Sequence, residues 1–271
     1  MISACCMICS GTLSGQKSTG IENYLASLPK ELKLDERSPQ KYVMTAEYFN
    51  KDIYGNLSGK VKITGEYTRG LEDGYVGWKN VFISHSENQS ELYQDSTKQE
   101  YMENITYNQS SKLLEESFFE SFPDHADNIY TRNLIWDMMA IEGFAWDYYD
   151  LLQLNKTYIV TDFKGSADLA EVGSYSHGKV ELNWIGISMM NDRLCAIIEY
   201  KALDNKLDLQ TDFMKSKGSE LYWGKTWLSM ENKQIEYAEM YSNTILEMEI
   251  PGLPDKMLTN TKRILKLERA K

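Results

Sequence analysis

Beyond Cys9 the chain holds one cysteine, Cys195, inside the apolar run Leu194-Cys195-Ala196-Ile197-Ile198. One thiol forms no intramolecular disulfide, so the body of the protein is not a disulfide-stapled scaffold. A buried structural thiol is the plain reading. Histidine is scarce too. His85, His125 and His177 are the only three, which leaves few bases for a catalytic thiol and few imidazoles for a metal. Positive charge is also short. The 29 Lys and Arg stand against 40 Asp and Glu, for a net charge of −11. That field opposes binding to a nucleic-acid backbone unless a basic patch offsets it. The longest basic stretch, Lys262 to Lys271, is interrupted by Leu and Glu. No nucleic-acid partner is expected.

Long apolar runs are missing as well. A membrane helix needs roughly 18 consecutive apolar residues. The nearest segment, residues 133–154, carries Asp137, Glu142, Asp147 and Asp150, so no transmembrane span is expected. What is present is enough apolar material for a core. Hydrophobic residues make up 42% of 271 residues, a length that suits one large or two small domains.

Residues 1–16 carry no charged side chain and hold Cys5, Cys6 and Cys9. They read as the remnant of an export signal, with an apolar stretch over residues 1–10 and small residues near Leu13-Ser14-Gly15. The basic start of such a signal is missing, which points to a true start upstream or a trimmed chain. The expected location is exported: periplasm, cell envelope or outside the cell. Ile2-Ser3-Ala4-Cys5 also has the form of a lipobox, so lipidation at Cys5 competes with cleavage near Gln16. Gly11 to Ser18 imitates a phosphate-binding loop, but Gln16 stands where the second glycine is required. No cofactor is expected.

After a polar lead-in at residues 17–40, hydrophobicity alternates with a period of two. Tyr42, Met44, Ala46 and Tyr48 share one face, then Val61, Ile63 and Tyr67, then Val76, Trp78 and Phe82, with turn signals at Asn56–Gly59 and Asp73-Gly74. Residues 87–155 break the pattern. A helix carrying Leu114, Phe118 and Phe122 ends at Pro123, and a second helix over 129–152 starts from Asn128 as its cap. From Thr157 the two-residue period returns to the end. Tight turns are predicted at Met190-Asn191-Asp192, Asp204-Asn205 and Glu231-Asn232-Lys233, with separate strands expected at 193–203, 207–214, 234–241 and 245–250. The expected fold class is α+β: a curved antiparallel sheet, a half-open barrel of meander type, packed on a helical insert at 91–155 within one domain over 41–271. Two small β domains flanking a helical linker are the alternative.

On the 129–152 helix, Leu134, Ala140, Ile141, Phe144, Tyr148, Leu151 and Leu152 make one apolar face, and Asp137 falls in its middle. A buried carboxylate is costly unless paired or protonated. Asp137 therefore either bonds a neighbouring strand or anchors a ligand in an apolar pocket. Trp136, Met139 and Trp146 lie on the polar side, which calls for a covering layer. Asp124-His125-Ala126-Asp127 offers potential metal ligands but lacks a second histidine one turn on, so no metal is expected.

The segment from Gly218 through Trp223, Trp227 and the 231–233 turn to Ile235 and Tyr237 resembles a unit of lipoprotein-localisation-factor-like exported bacterial proteins. That resemblance, spanning residues 178–250, implies a half-open barrel over helices with an apolar groove for acyl chains. The 91–155 insert departs from the simplest members. The leading expectation is an exported protein binding a lipid or other apolar or amphiphilic ligand between curved sheet and buried helix. Asp137, Ile141, Phe144, Tyr148, Trp223 and Trp227 are the candidate ligand-binding residues. The alternatives are a structural or interaction protein of the cell envelope, or a carboxylate-dependent hydrolase.

Overall fold

A computed structural model describes residues 38–87, 92–94, 96–125, 127–161, 166–168, 173–210 and 214–270, together with Asn23, Ala26 and Leu34. The leader, its lipobox and the Cys195-independent cysteines fall outside the described residues. Asn23 and Ala26, within the lead-in, are helical and exposed.

Strands β1 (Gln40–Asp52), β2 (Leu57–Arg69) and β3 (Tyr75–Glu87) form the first meander. Their alternation buries Tyr42, Met44, Ala46 and Tyr48 from β1 and Val61, Ile63 and Tyr67 from β2, because successive strand side chains point to opposite faces. The β1–β2 turn is held by Asp52, which accepts from the amides of Tyr54 and Asn56 at 2.9 and 2.8 Å. Short strands β4 (Thr97–Lys98) and β5 (Ile105–Asn108) both pair with β3.

The insert then supplies helices α1 (Glu116–Phe119) and α2 (Asn128–Trp146). The second is shorter than the predicted 129–152 span. After Trp146 the chain tightens into a 3-10 turn at Tyr149–Leu151. Asn128 lies inside the helix rather than capping it, and its side-chain amide donates to the Pro123 carbonyl at 3.0 Å.

The return follows through β6 (Thr157–Val160), β7 (Ser166–Asp168), β8 (Gly173–Ser176), β9 (Lys179–Met190), β10 (Arg193–Gln210), β11 (Lys215–Ser229), β12 (Ile235–Glu249) and β13 (Met257–Arg269). All join one 13-stranded sheet ordered β4-β3-β2-β1-β13-β12-β11-β10-β8-β7, with β9 beside the first half of β10. Every pair among these described strands is antiparallel, and an isolated parallel bridge joins Leu154 to Trp184. The first and last strands of the described sheet lie side by side, from Tyr42↔Arg269 to Asp52↔Thr259, so both halves of the chain build one curved, open sheet.

Two predicted breaks are absent. Asp204-Asn205 is not a turn. β10 runs through it with a register shift between Ala202 and Asn205, and Asp204 takes a φ of 61°, which is a bulge that bends the strand. Asn205 is buried there, accepting from the Gly178 amide at 3.0 Å and donating to the Ala202 carbonyl at 3.2 Å. Likewise, the pieces expected at 234–241 and 245–250 are one strand, β12.

Helix α2 lies in the concave face. Leu134, Ile135, Met138 and Ile141 have no solvent exposure, and the Phe144 ring stands 5.1 Å from that of Tyr200. Each such burial contributes about 1.5–3 kcal/mol. Gly224 of β11 makes room for this packing. A β-carbon there would collide with the Tyr200 hydroxyl and the Glu239 carbonyl, and those two groups hydrogen-bond at 2.9 Å.

The side of α2 away from the sheet is covered too. Trp136 donates to the Leu113 carbonyl at 2.7 Å and packs edge-on against Phe119. Trp146 donates to the Lys233 carbonyl at 2.7 Å. The aromatic strip on the polar side thus meets an internal layer of the same chain.

Candidate functional site

The concave face divides into three bands, taking the end where β1 begins as the upper end. The upper rows, from Tyr42 to Ala46 across to Tyr200 and Leu228, are sealed by α2. Among the described residues the zero exposure of Met138 and Ile141 leaves no water-sized void against them. The space between the upper sheet and the helix is packed.

A polar band follows. Asp137, which projects from α2 toward the sheet, meets Arg263 of β13, whose Nη1 lies 3.0 Å from both carboxylate oxygens. Arg263 also sits 3.9 Å from Glu220 of β11 and 5.9 Å over the Tyr48 ring. Glu220 accepts from the Tyr175 hydroxyl at 3.0 Å and from Thr244 at 3.3 Å. The register Asn205↔Glu220, Glu220↔Thr244, Thr244↔Thr261 and Asn50↔Thr261 carries the band across five strands. Burial raises the Asp137 carboxyl to about 6; the Arg263 charge opposes that rise and the Glu220 charge adds to it. Arg263 itself stays cationic, because its acidic neighbours outweigh its burial.

A second buried acid lies nearer the top of the helix. Glu142 accepts from the Tyr67 hydroxyl and from Arg69, both at 2.8 Å. Its pKa rises to about 7, first from burial, with Arg69 pulling the other way. Arg69 in turn lies 4.1 Å from the Trp146 ring centroid. Placed at 100° per residue, Glu142 falls away from the apolar face of the helix. Its partners stand on β2, so that side of α2 is interior because the sheet curves round to it.

Below the polar band the concave face turns apolar again and, among the described residues, is only partly covered, with Ser216 buried there. Leu207 and Leu209 of β10 align through Gly218 and Ser216 with Leu246 and Met248 of β12. All four apolar side chains are only half-buried.

The six candidate ligand-binding residues separate. Asp137, Ile141, Phe144 and Tyr148 face the interior and are buried in the packed region. Trp223 and Trp227 do not join them. They alternate with the inward residues Tyr222, Gly224, Thr226 and Leu228, so they lie on the outer face. There Trp223, 40% exposed, stacks on Tyr241 at 5.9 Å, and Trp227 meets Tyr237 at 5.1 Å. A position between two inward residues was readable as outward from the pattern itself.

Other candidates resolve into ordinary contacts. Asp127 pairs with His85 at 3.1 Å, and its amide donates to His125 Nδ1 at 3.1 Å. Among the described residues no three metal-ligating side chains gather. Cys195 is buried, and burial pushes its thiol up to about 12, which keeps it protonated and poorly nucleophilic. His177 packs edge-on against Tyr175 at 4.8 Å. Among the described residues no helix is long and apolar enough to cross a membrane.

Arg263 and Glu220 were missed as site residues. A signal for Arg263 existed: it alternates in step with Leu265 and Leu267, both fully buried, so it shares their inward face.

No protein-family model matches the chain, and no curated protein matches it. Among solved structures, one of lipovitellin, described as showing lipid–protein interactions, overlaps with a TM-score of 0.43 at 9% identity. That overlap takes in 88% of this chain and 26% of the lipovitellin chain, so this chain spans about a quarter of that protein. A DUF1329 family protein from Desulfovibrio piger overlaps with a TM-score of 0.16 at 10% identity, over 86% of each chain. Overlap at this level assigns no family.

Proposed function

We propose that the chain is a binding protein for an amphiphilic ligand, held on the lower concave face of the open sheet. The observation that carries this reading is the half-buried apolar set Leu207, Leu209, Leu246 and Met248 directly below a polar band. An apolar tail would lie on the four side chains, and a polar end would meet Glu220, Tyr175 and Thr244. This moves the ligand from between sheet and helix, where the packing is tight, to the part of the same face that α2 leaves open. Ile141 and Phe144 then act as core, and Asp137 acts on the ligand only by holding Arg263. The uncharged, cysteine-bearing residues 1–16 support an exported location for this binding.

The test uses the purified full chain. Organic extraction followed by mass spectrometry should recover a co-purifying amphiphile, and the neutral probe N-phenyl-1-naphthylamine should bind saturably. Leu207→Asp with Leu246→Asp should weaken probe binding about tenfold or more, given the apolar area lost. Absence of both lipid and saturable probe binding sinks the proposal, as does wild-type affinity in the double variant.

The outer aromatic strip supports a second reading, contact with an envelope partner through Trp223, Tyr241, Trp227 and Tyr237. Its mark would be a complex lost on Trp223→Ser while probe binding persists.

A further inference from the structure

We propose that the cleft between the outer face of β2–β3 and the described residues 92–94 and Ser96 binds a small molecule bearing an oxyanion, a carboxylate or a phosphoryl group. The cleft lies on the opposite side of the sheet from the amphiphile face and is independent of that reading. It encloses about 440 Å³ and is lined by Lys62, Thr64, Ser84, Tyr93, Gln94 and Ser96. Binding pockets for small molecules fall at roughly 300–1,000 Å³.

The strand pattern makes its floor. Val61 and Ile63 turn into the core, so Lys62 and Thr64 must point outward. The covering segment is pinned at several points. Tyr93 donates its hydroxyl to Glu47 at 2.9 Å, and the Lys60 ammonium lies 4.9 Å over its ring. The Gln94 amide donates to the His85 carbonyl at 2.7 Å. The Ser84 and Ser96 hydroxyls meet at 2.6 Å. These contacts build the wall from the chain itself, which lowers the ordering cost of binding.

The lining decides the ligand class. Lys62 brings a full positive charge with three N–H donors, and it makes no ion pair with any described residue. Thr64, Ser84 and Ser96 add hydroxyls, and Gln94 adds an amide. None of the six described lining residues is acidic. The acid opposite Lys62 in the register, Glu47, accepts the Tyr93 hydroxyl and stands outside the described lining. One ammonium with several neutral donors suits a concentrated negative charge, for which charge-assisted hydrogen bonds are the strong ones. A metal cation would be repelled by Lys62, and an apolar ligand would leave the Lys62 ammonium without a partner.

The full chain, labelled with ¹⁵N, should be titrated with inorganic phosphate and separately with acetate at constant ionic strength, with chloride as the control. At least one anion should give saturable amide shifts at Lys62, Thr64, Ser84, Gln94 and Ser96. The stronger of the two identifies the phosphoryl or the carboxylate source. Lys62→Ala should raise the Kd about tenfold or more, and Lys62→Arg should restore binding because it keeps the charge. Thr64→Ala gives a second variant that leaves the charge in place and should weaken the same response. Shifts reproduced by chloride, no saturable shift with either anion, or an unchanged Kd in Lys62→Ala overturns the proposal.

Discussion

Replacing Asp137 by leucine removes one half of a buried ion pair and leaves the other half in place. Arg263 has side-chain exposure of 9%, and its remaining acid, Glu220, stands 3.9 Å away. Its Nε makes no hydrogen bond even in the intact protein, so little is available to compensate. Removing one partner of a buried pair costs about 3–5 kcal/mol. Against a total stability of about 5–15 kcal/mol, that is a large share. Replacing both partners, Asp137→Leu with Arg263→Met, also removes the desolvation cost of both charges. The double variant should therefore be more stable than Asp137→Leu alone by at least about 2 kcal/mol. Urea unfolding followed by tryptophan fluorescence measures both, with the slope of the transition confirming that only stability has changed. The reasoning fails if Asp137→Leu costs less than about 1 kcal/mol, the range of an exposed pair, or if the double variant loses the sum of the two single losses.

Three further outcomes follow from the same structure. Asp137 and Glu142 rise to about 6 and about 7 from 3.8 and 4.5, so the folded state holds more protons than the unfolded one between pH 4 and 7. Their contribution is present below the unfolded values and is lost as pH rises through the folded ones, at ~3 kcal/mol each. Unfolding midpoints measured from pH 4.5 to 8 should show a decline that Glu142→Gln flattens, and a flat wild-type profile would contradict the burial of both acids. Gly224→Ala should push Tyr200 off the Glu239 carbonyl and destabilise by about 1–3 kcal/mol, and a neutral result in thermal unfolding would mean that the strand gives way there. Trp223→Ala, on the outer face, should change stability by less than about 1 kcal/mol and leave probe binding as it is; loss of probe binding would place the ligand on the convex side.

The main strands were legible because period-two alternation is a local property of the sequence. Tyr42, Met44, Ala46 and Tyr48 announce one buried face whatever they pack against. The errors came where a local signal has two physical causes. Asp204-Asn205 has turn chemistry, but the same tolerance of positive φ serves a bulge, and only pairing with Glu220 on the neighbouring strand distinguishes them. Asp137 shows the limit from the other direction. Its place on an apolar helix face demanded a partner, and the partner lies 126 residues away on the last strand. Arg263 reads as part of a basic terminal stretch when charge is counted along the chain. It reads as an inward residue when it is set in phase with Leu265 and Leu267. The lower concave band escaped notice for a related reason: Leu207, Leu209, Leu246 and Met248 are spread over two strands that were each read in pieces. Once β10 and β12 are continuous, their inward positions align, and an apolar surface emerges next to the polar row centred on Glu220. The amphiphile reading therefore rests on strand continuity, which the turn reading at Asp204-Asn205 and the split of β12 at 242–244 had concealed.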